Sequence, residues 1–162
     1  MKEIQLETDR LLLRMWREET DFETYASMCA DEDIMRYIGG KTMTRVEAWR
    51  HMAFHIGHWE MRGYGHWAVE EKESGDFIGR IGFLNPVGWP AFEIGWTLDK
   101  KHWGKGFATE GARRALDVGL GGPTSGRSRA LTMDVEQFRD MAAPWVRSVR
   151  IGNSGSTDGR PV

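Results

Sequence analysis

The 162-residue sequence contains a single cysteine, Cys29, so no disulfide can form within the chain. The residues around Cys29 offer no base that would activate a nucleophile, and we expect the thiol to pack in the core. No apolar run approaches the length of a membrane-spanning helix. The first residues mix charges instead of placing a basic segment before an apolar one, so a cytoplasmic location is expected.

The chain also carries little net charge. Lysine and arginine total 22 against 24 acidic residues, which gives a formal net charge of -2. Nothing in this overall balance indicates a nucleic-acid or membrane partner, so any basic site must be local. Hydrophobic residues make up 40% of the chain, which is ordinary for one compact soluble domain.

The hydrophobic periodicity predicts an α+β arrangement in which helices precede and follow a run of strands. Glycines at 79 and 82 would weaken their strand unless another backbone or a ligand approaches closely there. The predicted elements are a strand over 6–16, a helix from Thr20, a short helical turn within 31–40, a long helix from Thr44 to Trp59, strands over 67–71, 77–84 and 92–98, and a helix over 107–118.

Three histidines, His51, His55 and His58, fall on the predicted long helix at spacings that bring ring nitrogens to one face. No carboxylate or cysteine completes an established metal motif around them. Histidines on a helix are more often buried or solvated than ligating, so no metal site is predicted.

Gly104 and Gly106, separated by one residue, lie between a predicted strand and a predicted helix. Glycines let a backbone approach a ligand closely, and the first N–H groups of a helix lack intrahelical partners, so this loop suits a phosphate. It lacks the third glycine of the dinucleotide fingerprint, and no Ser or Thr follows Gly-Lys as in nucleoside-triphosphate loops.

The stretch Trp103–Glu110, Trp-Gly-Lys-Gly-Phe-Ala-Thr-Glu, resembles the acyl-coenzyme A signature of GNAT-superfamily N-acetyltransferases. It also looks like the branch that contains ribosomal-protein alanine N-acetyltransferases, in which Trp replaces the usual Gln or Arg, as Trp103 does here. The opening Glu7–Arg14 is similar to a recurrent phrase of the same family. The resemblance is continuous over residues 6–118 and implies a mixed, mostly antiparallel sheet flanked by helices.

The resemblance implies acetyl-CoA as cosubstrate and no metal. The backbone of Trp96, Thr97 and Leu98 would pair with the pantetheine arm, and N–H groups from Gly104 to Thr109 would hold the pyrophosphate. The implied cofactor-binding residues are Trp96, Thr97, Leu98, Trp103, Gly104, Lys105, Gly106, Phe107, Ala108 and Thr109. Candidates for the remaining phosphate charge are Lys100, Lys101, Lys105, Arg113 and Arg114.

Acetyl transfer needs a neutral amine, so a proton acceptor is required at the reacting centre. Glu93, on an apolar and aromatic strand, is the candidate base, and we expect it to be buried there; the alternative is a structural acid paired to a neighbour. The resemblance therefore implies an N-acetyltransferase acting on a primary amine, either a protein N-terminus or a small molecule. Candidates for an aromatic acceptor pocket are Trp16, Trp49, Trp59, Trp67, Trp89 and Tyr37.

The sequence changes character after residue 118. Lysine does not occur beyond Lys105, and a Gly/Arg-rich stretch replaces the strand and helix that the family places next. We therefore divide the chain into 1–118, the N-terminal part of an acetyltransferase domain, and 119–162, an atypical segment with one helix predicted from Thr132. A shifted reading frame and a divergent C-terminus both account for this change.

An altered C-terminal part leaves two further hypotheses. One is a catalytically impaired coenzyme A-binding or interaction protein that retains only the N-terminal part of the fold. The other is a chain that becomes stable by pairing with another copy, as a homodimer, since a missing strand leaves an open sheet edge.

Overall fold

The computed structural model describes residues 5–89 and 93–119. They form an antiparallel five-stranded sheet whose spatial order, β1-β2-β3-β4-β5, follows the chain. The strands within these ranges are β1 (Leu6–Glu7), β2 (Leu11–Arg14), β3 (His66–Glu71), β4 (Phe77–Leu84) and β5 (Glu93–Leu98). The helices are α1 (Glu18–Ala30), α2 (Glu32–Met35), α3 (Arg45–Arg62) and α4 (Phe107–Gly119), with one 3₁₀ turn over Lys100–His102.

The predicted α+β class is confirmed for this part of the chain. The predicted change at residue 119 and the helix from Thr132 lie outside the described residues. None of the helices in the described ranges has both the length and the apolar character needed to cross a bilayer.

The predicted first strand over 6–16 is wrong, because the structure has two strands joined by a tight turn. The Thr8 N–H donates to the Leu11 carbonyl at 2.9 Å, and the Leu11 N–H donates to Thr8 Oγ1 at 2.8 Å. The second strand ends at Arg14, and the first helix begins slightly before the predicted Thr20. A threonine hydroxyl that bonds nearby backbone favours turns over strands, which is the physical reason for the break.

Side-chain caps set the starts of helices α2 and α3. Thr44 and Glu47 form a reciprocal capping box at the start of α3. Asp31 accepts from the backbone N–H groups of Asp33 and Ile34 and so caps α2.

Two apolar clusters cover the two faces of the sheet. Helices α1 to α3 bury one cluster, which includes Trp16, Tyr25, Met52 and Phe77, and α4 contributes to the other. Neighbouring residues of β3 divide between the clusters because successive side chains of a strand alternate in direction. Cys29 belongs to the first cluster, where burial raises the pKa of its thiol, so its predicted core position is confirmed.

Glycines in β4 allow its neighbours to come unusually close. A Cβ on Gly79 would lie 2.2 Å from the Thr97 carbonyl oxygen of β5, and one on Gly82 would lie 2.2 Å from the Gly65 carbonyl oxygen beside β3. Only glycine fits such an approach, and φ is +145° at Gly79. The predicted close approach at both positions is confirmed, and backbone is what approaches.

Arg14 at the end of β2 is buried, with only 3% of its surface exposed. Its Nη1 and Nη2 donate to the two carboxylate oxygens of Asp21 at 2.9 and 2.8 Å, and its Nε donates to Glu70 at 2.7 Å. A bidentate pair and a second carboxylate compensate for the loss of water around this cation. The pair ties β2 to α1 and β3.

Candidate active site

The glycine loop joins the C-terminal end of β5 to the N-terminus of α4. Gly104 and Gly106 have φ values of +75° and +80°, in the left-handed region that favours glycine. The first backbone bond into α4 runs from the Glu110 N–H to the Gly106 carbonyl at 3.0 Å. Within the described residues no backbone carbonyl accepts from the N–H groups of 104–109. These groups and the helix N-terminus make a site that fits a phosphate.

Arg10, which the sequence analysis did not identify, braces this loop from the β1–β2 turn. Its Nη1 donates to the Lys105 carbonyl at 2.9 Å, and its guanidinium lies 4.5 Å from the centre of the Phe107 ring. Its Nε and backbone N–H both donate to the Glu110 carboxylate, at 2.7 and 3.0 Å. Thr8 Oγ1 donates to the same carboxylate at 2.5 Å. The loop conformation therefore depends on residues near the start of the chain.

The outer edge of β5 is not paired to any strand of the described residues. Along an antiparallel strand, residues alternate between those that bond the neighbouring strand and those whose N–H and C=O groups point away from it. The Asp99 N–H donates to the Ile78 carbonyl at 2.8 Å, so Asp99 is one of the bonded residues. Thr97 then exchanges hydrogen bonds with its partner Arg80, whereas Trp96 and Leu98 direct their N–H and C=O groups to the outer edge. Thr97 thus differs from its predicted role, because its backbone faces β4 and its hydroxyl is buried.

Trp103, predicted to bind the cofactor, braces the same edge. Its indole N–H donates to the Leu98 carbonyl at 2.8 Å, and its ring packs against both apolar clusters. The tryptophan that replaces Gln or Arg in the signature thereby fixes the end of β5 where the glycine loop begins.

The basic residues predicted near the phosphate divide into two groups. Lys100 lies 2.5 Å from an Asp31 carboxylate oxygen, and this hydrogen bond raises the pKa of its ammonium; Arg114 donates to the Glu7 carbonyl at 3.1 Å. Lys101, Lys105 and Arg113 are exposed around the loop and form no salt bridge with the described residues. They are the side chains best placed to meet further phosphate charge.

A cavity of about 430 Å³ lies beside β5, on the face of the sheet that α1 to α3 cover. Glu93 lines it, but the carboxylate is at the exposed start of the strand, so the expectation that Glu93 is buried is wrong. The apolar wall includes Tyr37, Phe54, Trp89, Trp96 and Trp103. Of the aromatic residues predicted to line an acceptor pocket, Trp89 and Tyr37 do so, whereas Trp16, Trp59 and Trp67 lie in the core and Trp49 bonds Glu18 on the surface.

The floor of the cavity is polar, and sequence reasoning missed most of it. Arg80, His66, His55 and Thr97 line the cavity, and each is at least nine-tenths buried. Each also carries a buried nitrogen or oxygen without a hydrogen-bond partner among the described residues: Arg80 Nε, His66 Nε2, both ring nitrogens of His55, and Thr97 Oγ1. The available signal was the presence of Arg80, His66 and Thr97 in strands that helices cover, because such positions normally hold apolar side chains.

Positive charge at this floor is concentrated on Arg80. Burial, with Arg80 nearby, lowers the pKa of His51 to about 4 and lowers the pKa values of His55 and His66 well below the ordinary histidine range. These imidazoles are therefore neutral at pH 7.

The three histidines considered for a metal have separate roles. His51 Nδ1 and the Tyr25 hydroxyl form a hydrogen bond of 2.8 Å, and His55 is fully buried. His58 Nδ1 donates to the Tyr64 carbonyl at 2.8 Å while its Nε2 accepts from the Asn85 N–H at 3.2 Å. Among the residues that the structure describes, no three His, Cys, Asp or Glu side chains converge as metal ligands do.

Comparison with known proteins finds the same architecture. The model of the acetyltransferase (GNAT) domain family matches residues 10–139, a range that extends past the predicted change at 119. The uncharacterised protein YkkB of Bacillus subtilis (strain 168) is 31% identical over 135 residues, which cover 78% of this chain and 74% of that one. The uncharacterised N-acetyltransferase YoaA of the same strain is 32% identical, over 71% of this chain and 66% of its own.

Two solved structures extend the comparison. An acetyltransferase from Agrobacterium tumefaciens str. C58 has a TM-score of 0.65 and 28% identity, over 72% of this chain and 66% of that one. The ribosomal L7/L12 α-N-protein acetyltransferase RimL in complex with coenzyme A has a TM-score of 0.50 and 18% identity, over 67% and 62%, and shows the fold alone. The chain therefore spans about two thirds of the length of several proteins it matches.

Proposed function

Because the chain belongs to the acetyltransferase (GNAT) domain family, we propose that it transfers an acetyl group from acetyl-CoA to a primary amine. One observation carries the proposal: within the described residues, a glycine loop whose N–H groups meet no backbone carbonyl, the free outer edge of β5 and the cavity beside Glu93 follow one another along β5. A phosphate site, an arm site and a reaction site thus follow one another in the order that acetyl-CoA requires.

The donor would be held mainly by backbone. N–H groups of 104–109 bind the pyrophosphate, and Lys101, Lys105 and Arg113 meet the remaining phosphate charge. Trp96 presents its N–H and C=O groups to the pantetheine arm as an added strand would. From Leu98 to Glu93 the strand spans about 17 Å at 3.3 Å per residue, so an arm laid along it reaches the cavity.

Acetyl-CoA supplies an activated thioester, and this chain supplies position and a proton acceptor. Glu93 Oε1 lies 3.7 Å from the position that a Cβ on Gly95 would occupy, and His66 Nε2 lies 3.5 Å from the same position. The carboxylate and the His66 ring therefore face the same space above the sheet. There it takes the proton of the acceptor ammonium, directly or through one water, and leaves the amine nucleophilic. Holding amine and thioester together lowers the entropic part of the barrier.

Glu93→Gln tests the role of the carboxylate, because glutamine keeps the volume but cannot accept a proton. We expect kcat to fall about 10²- to 10⁴-fold at neutral pH. Affinity for acetyl-CoA, measured by calorimetry, should change little. Release of free coenzyme A with a panel of amines gives the rate, and Glu60→Gln on the exposed face of α3 is the matched control.

An unchanged rate in Glu93→Gln would make this residue a structural acid. Binding of acetyl-CoA without turnover of any amine would instead favour the alternative, a coenzyme A-binding or interaction protein that retains the N-terminal part of the fold. The proposal includes a cytoplasmic location. The homodimer also remains a proposal, and it is tested by the dependence of molecular mass on concentration.

A further inference from the structure

The described residues include two buried arginines with opposite surroundings. Arg14 is 3% exposed and bonded to two carboxylates, Asp21 and Glu70. Arg80 is 5% exposed, and no carboxylate of the described residues lies within salt-bridge distance of it. A buried cation without a counter-charge is costly, and folded proteins normally pair it. Arg80 differs from Arg14 in lining a cavity that a ligand can enter.

The neighbours of Arg80 do not neutralise it. Its Nη1 donates to His66 Nδ1, and its Nε has no partner in the part of the chain that the structure describes. Burial raises the pKa of Tyr25 and of Cys29 and keeps both groups neutral. The positive charge of Arg80 opposes these shifts but is the smaller effect. Among the described residues lining the cavity, Glu93 is the single carboxylate, and it lies at the exposed start of β5.

The hydrogen bond from Arg80 also fixes the proton on His66. Arginine can only donate, so Nδ1 of the neutral imidazole accepts and Nε2 carries the hydrogen. That Nε2–H is buried, has no partner within residues 5–89 and 93–119, and lies 3.5 Å from the point where a Cβ on Gly95 would sit. Together with Arg80 Nε–H and the Thr97 hydroxyl, it makes a floor of unsatisfied donors beside one positive charge.

We infer that the amine acceptor also carries a carboxylate or a similar oxyanion, which binds to Arg80 and His66 while its amine lies toward Glu93. The inference rests on the proposed function and names the substrate class of the same site. A small amino acid or amino carboxylate with an apolar side chain fits, because the cavity holds about 430 Å³ and has aromatic walls. A polyamine would place a second cation against Arg80 and is disfavoured.

Binding of an acid without an amine tests this inference independently of any acetyl transfer. Calorimetry compares 3-phenylpropionate with 3-phenylpropanamide, which is similar in shape and uncharged. We expect the acid to bind at least about tenfold more tightly, because a site built for a hydrogen-bonded group rejects an analogue lacking it. Arg80→Met should remove the difference, Arg80→Lys should retain part of it, and Arg50→Met on the exposed face of α3 should leave it intact.

Rates of acetyl transfer then test whether the oxyanion and the reacting amine belong to the same substrate. With acetyl-CoA, the wild-type chain should have a higher kcat/KM for phenylalanine than for phenethylamine. In Arg80→Met the ratio of the two kcat/KM values should approach one. Equal binding of the acid and the amide would overturn the inference and leave the proposed acetyl transfer unaffected; turnover with a preference for phenethylamine would overturn the inference and support acetyl transfer. Acid binding that depends on Arg80, without turnover of any amine, would support the anion site and reject the proposed transferase function.

Discussion

Replacing Gly79 with alanine tests the close approach of β4 and β5. At φ of +145°, a Cβ would lie 2.2 Å from the Thr97 carbonyl oxygen and 2.8 Å from Leu98 Cα. Both are backbone atoms, so no change of rotamer relieves the overlap. Overpacking costs about 1–3 kcal/mol, and the left-handed backbone adds about 1–2 kcal/mol. The expected loss is about 2–5 kcal/mol, against a total stability of about 5–15 kcal/mol.

Two other glycines serve as controls that separate the cost of steric overlap from the cost of the backbone conformation. Gly75 has φ of +75° and nothing within 4 Å of its Cβ position, so Gly75→Ala should show the backbone cost of about 1–2 kcal/mol alone. Gly57 lies inside α3 and also has nothing within 4 Å. There, alanine should stabilise the protein by about 0.5–1 kcal/mol, because glycine loses more chain entropy in a helix.

Urea denaturation of the three variants gives the free energies of unfolding. Acetyl-CoA affinity should fall together with stability in Gly79→Ala, since the displaced segment of β5 is the one that would carry the pantetheine arm. If Gly79→Ala costs no more than Gly75→Ala, the two strands can move apart freely and the close-approach argument is refuted.

Three further changes probe the loop, the buried ion pair and the histidines. Gly106→Val should sharply lower acetyl-CoA affinity by calorimetry while circular dichroism stays native, because φ of +80° excludes a β-branched residue; unaltered affinity would remove the loop from the site. Asp21→Ala should cost about 3–5 kcal/mol in urea denaturation by leaving Arg14 short of a partner, whereas Glu23→Ala, which breaks a surface pair with Arg45, should change little. The free energy of unfolding should rise between pH 4 and 6.5, because in this window the unfolded chain protonates His51, His55 and His66 while the folded chain keeps them neutral. His51→Gln removes one of these three contributions and should make the rise shallower. A pH series showing the same rise in His51→Gln would contradict that assignment.

The local part of the site could be predicted from the sequence. A strand, two closely spaced glycines and a helix start are adjacent along the chain, so Gly104 and Gly106 have their observed setting without any long-range contact. The capping box of α3 is equally local. Thr8 and Asp9 carried a turn signal too, but the sequence pattern indicated the entry to a single strand, whereas the structure has one strand on each side of the turn.

The cavity floor could not be predicted in the same way. Arg80 and His66 contact each other only because β3 and β4 pair, and their burial follows from helices that pack over that face. Periodicity counts both as polar and assigns them no partner. Glu93 was placed on the correct strand, but its exposure depends on where the strand begins relative to those helices.

The bracing of the glycine loop by Arg10 has a consequence for how the chain folds. Arg10 and Glu110 are 100 residues apart in sequence, and the Thr8 hydroxyl joins the same carboxylate. Contacts of such separation require a large loop closure and form late. During synthesis the β1–β2 turn leaves the ribosome long before α4 exists, so it cannot meet its partner until nearly all the described chain has been made. The glycine loop is therefore completed by the joining of the earliest and latest described segments. Any ligand that binds the finished loop draws the whole folding equilibrium toward that last step.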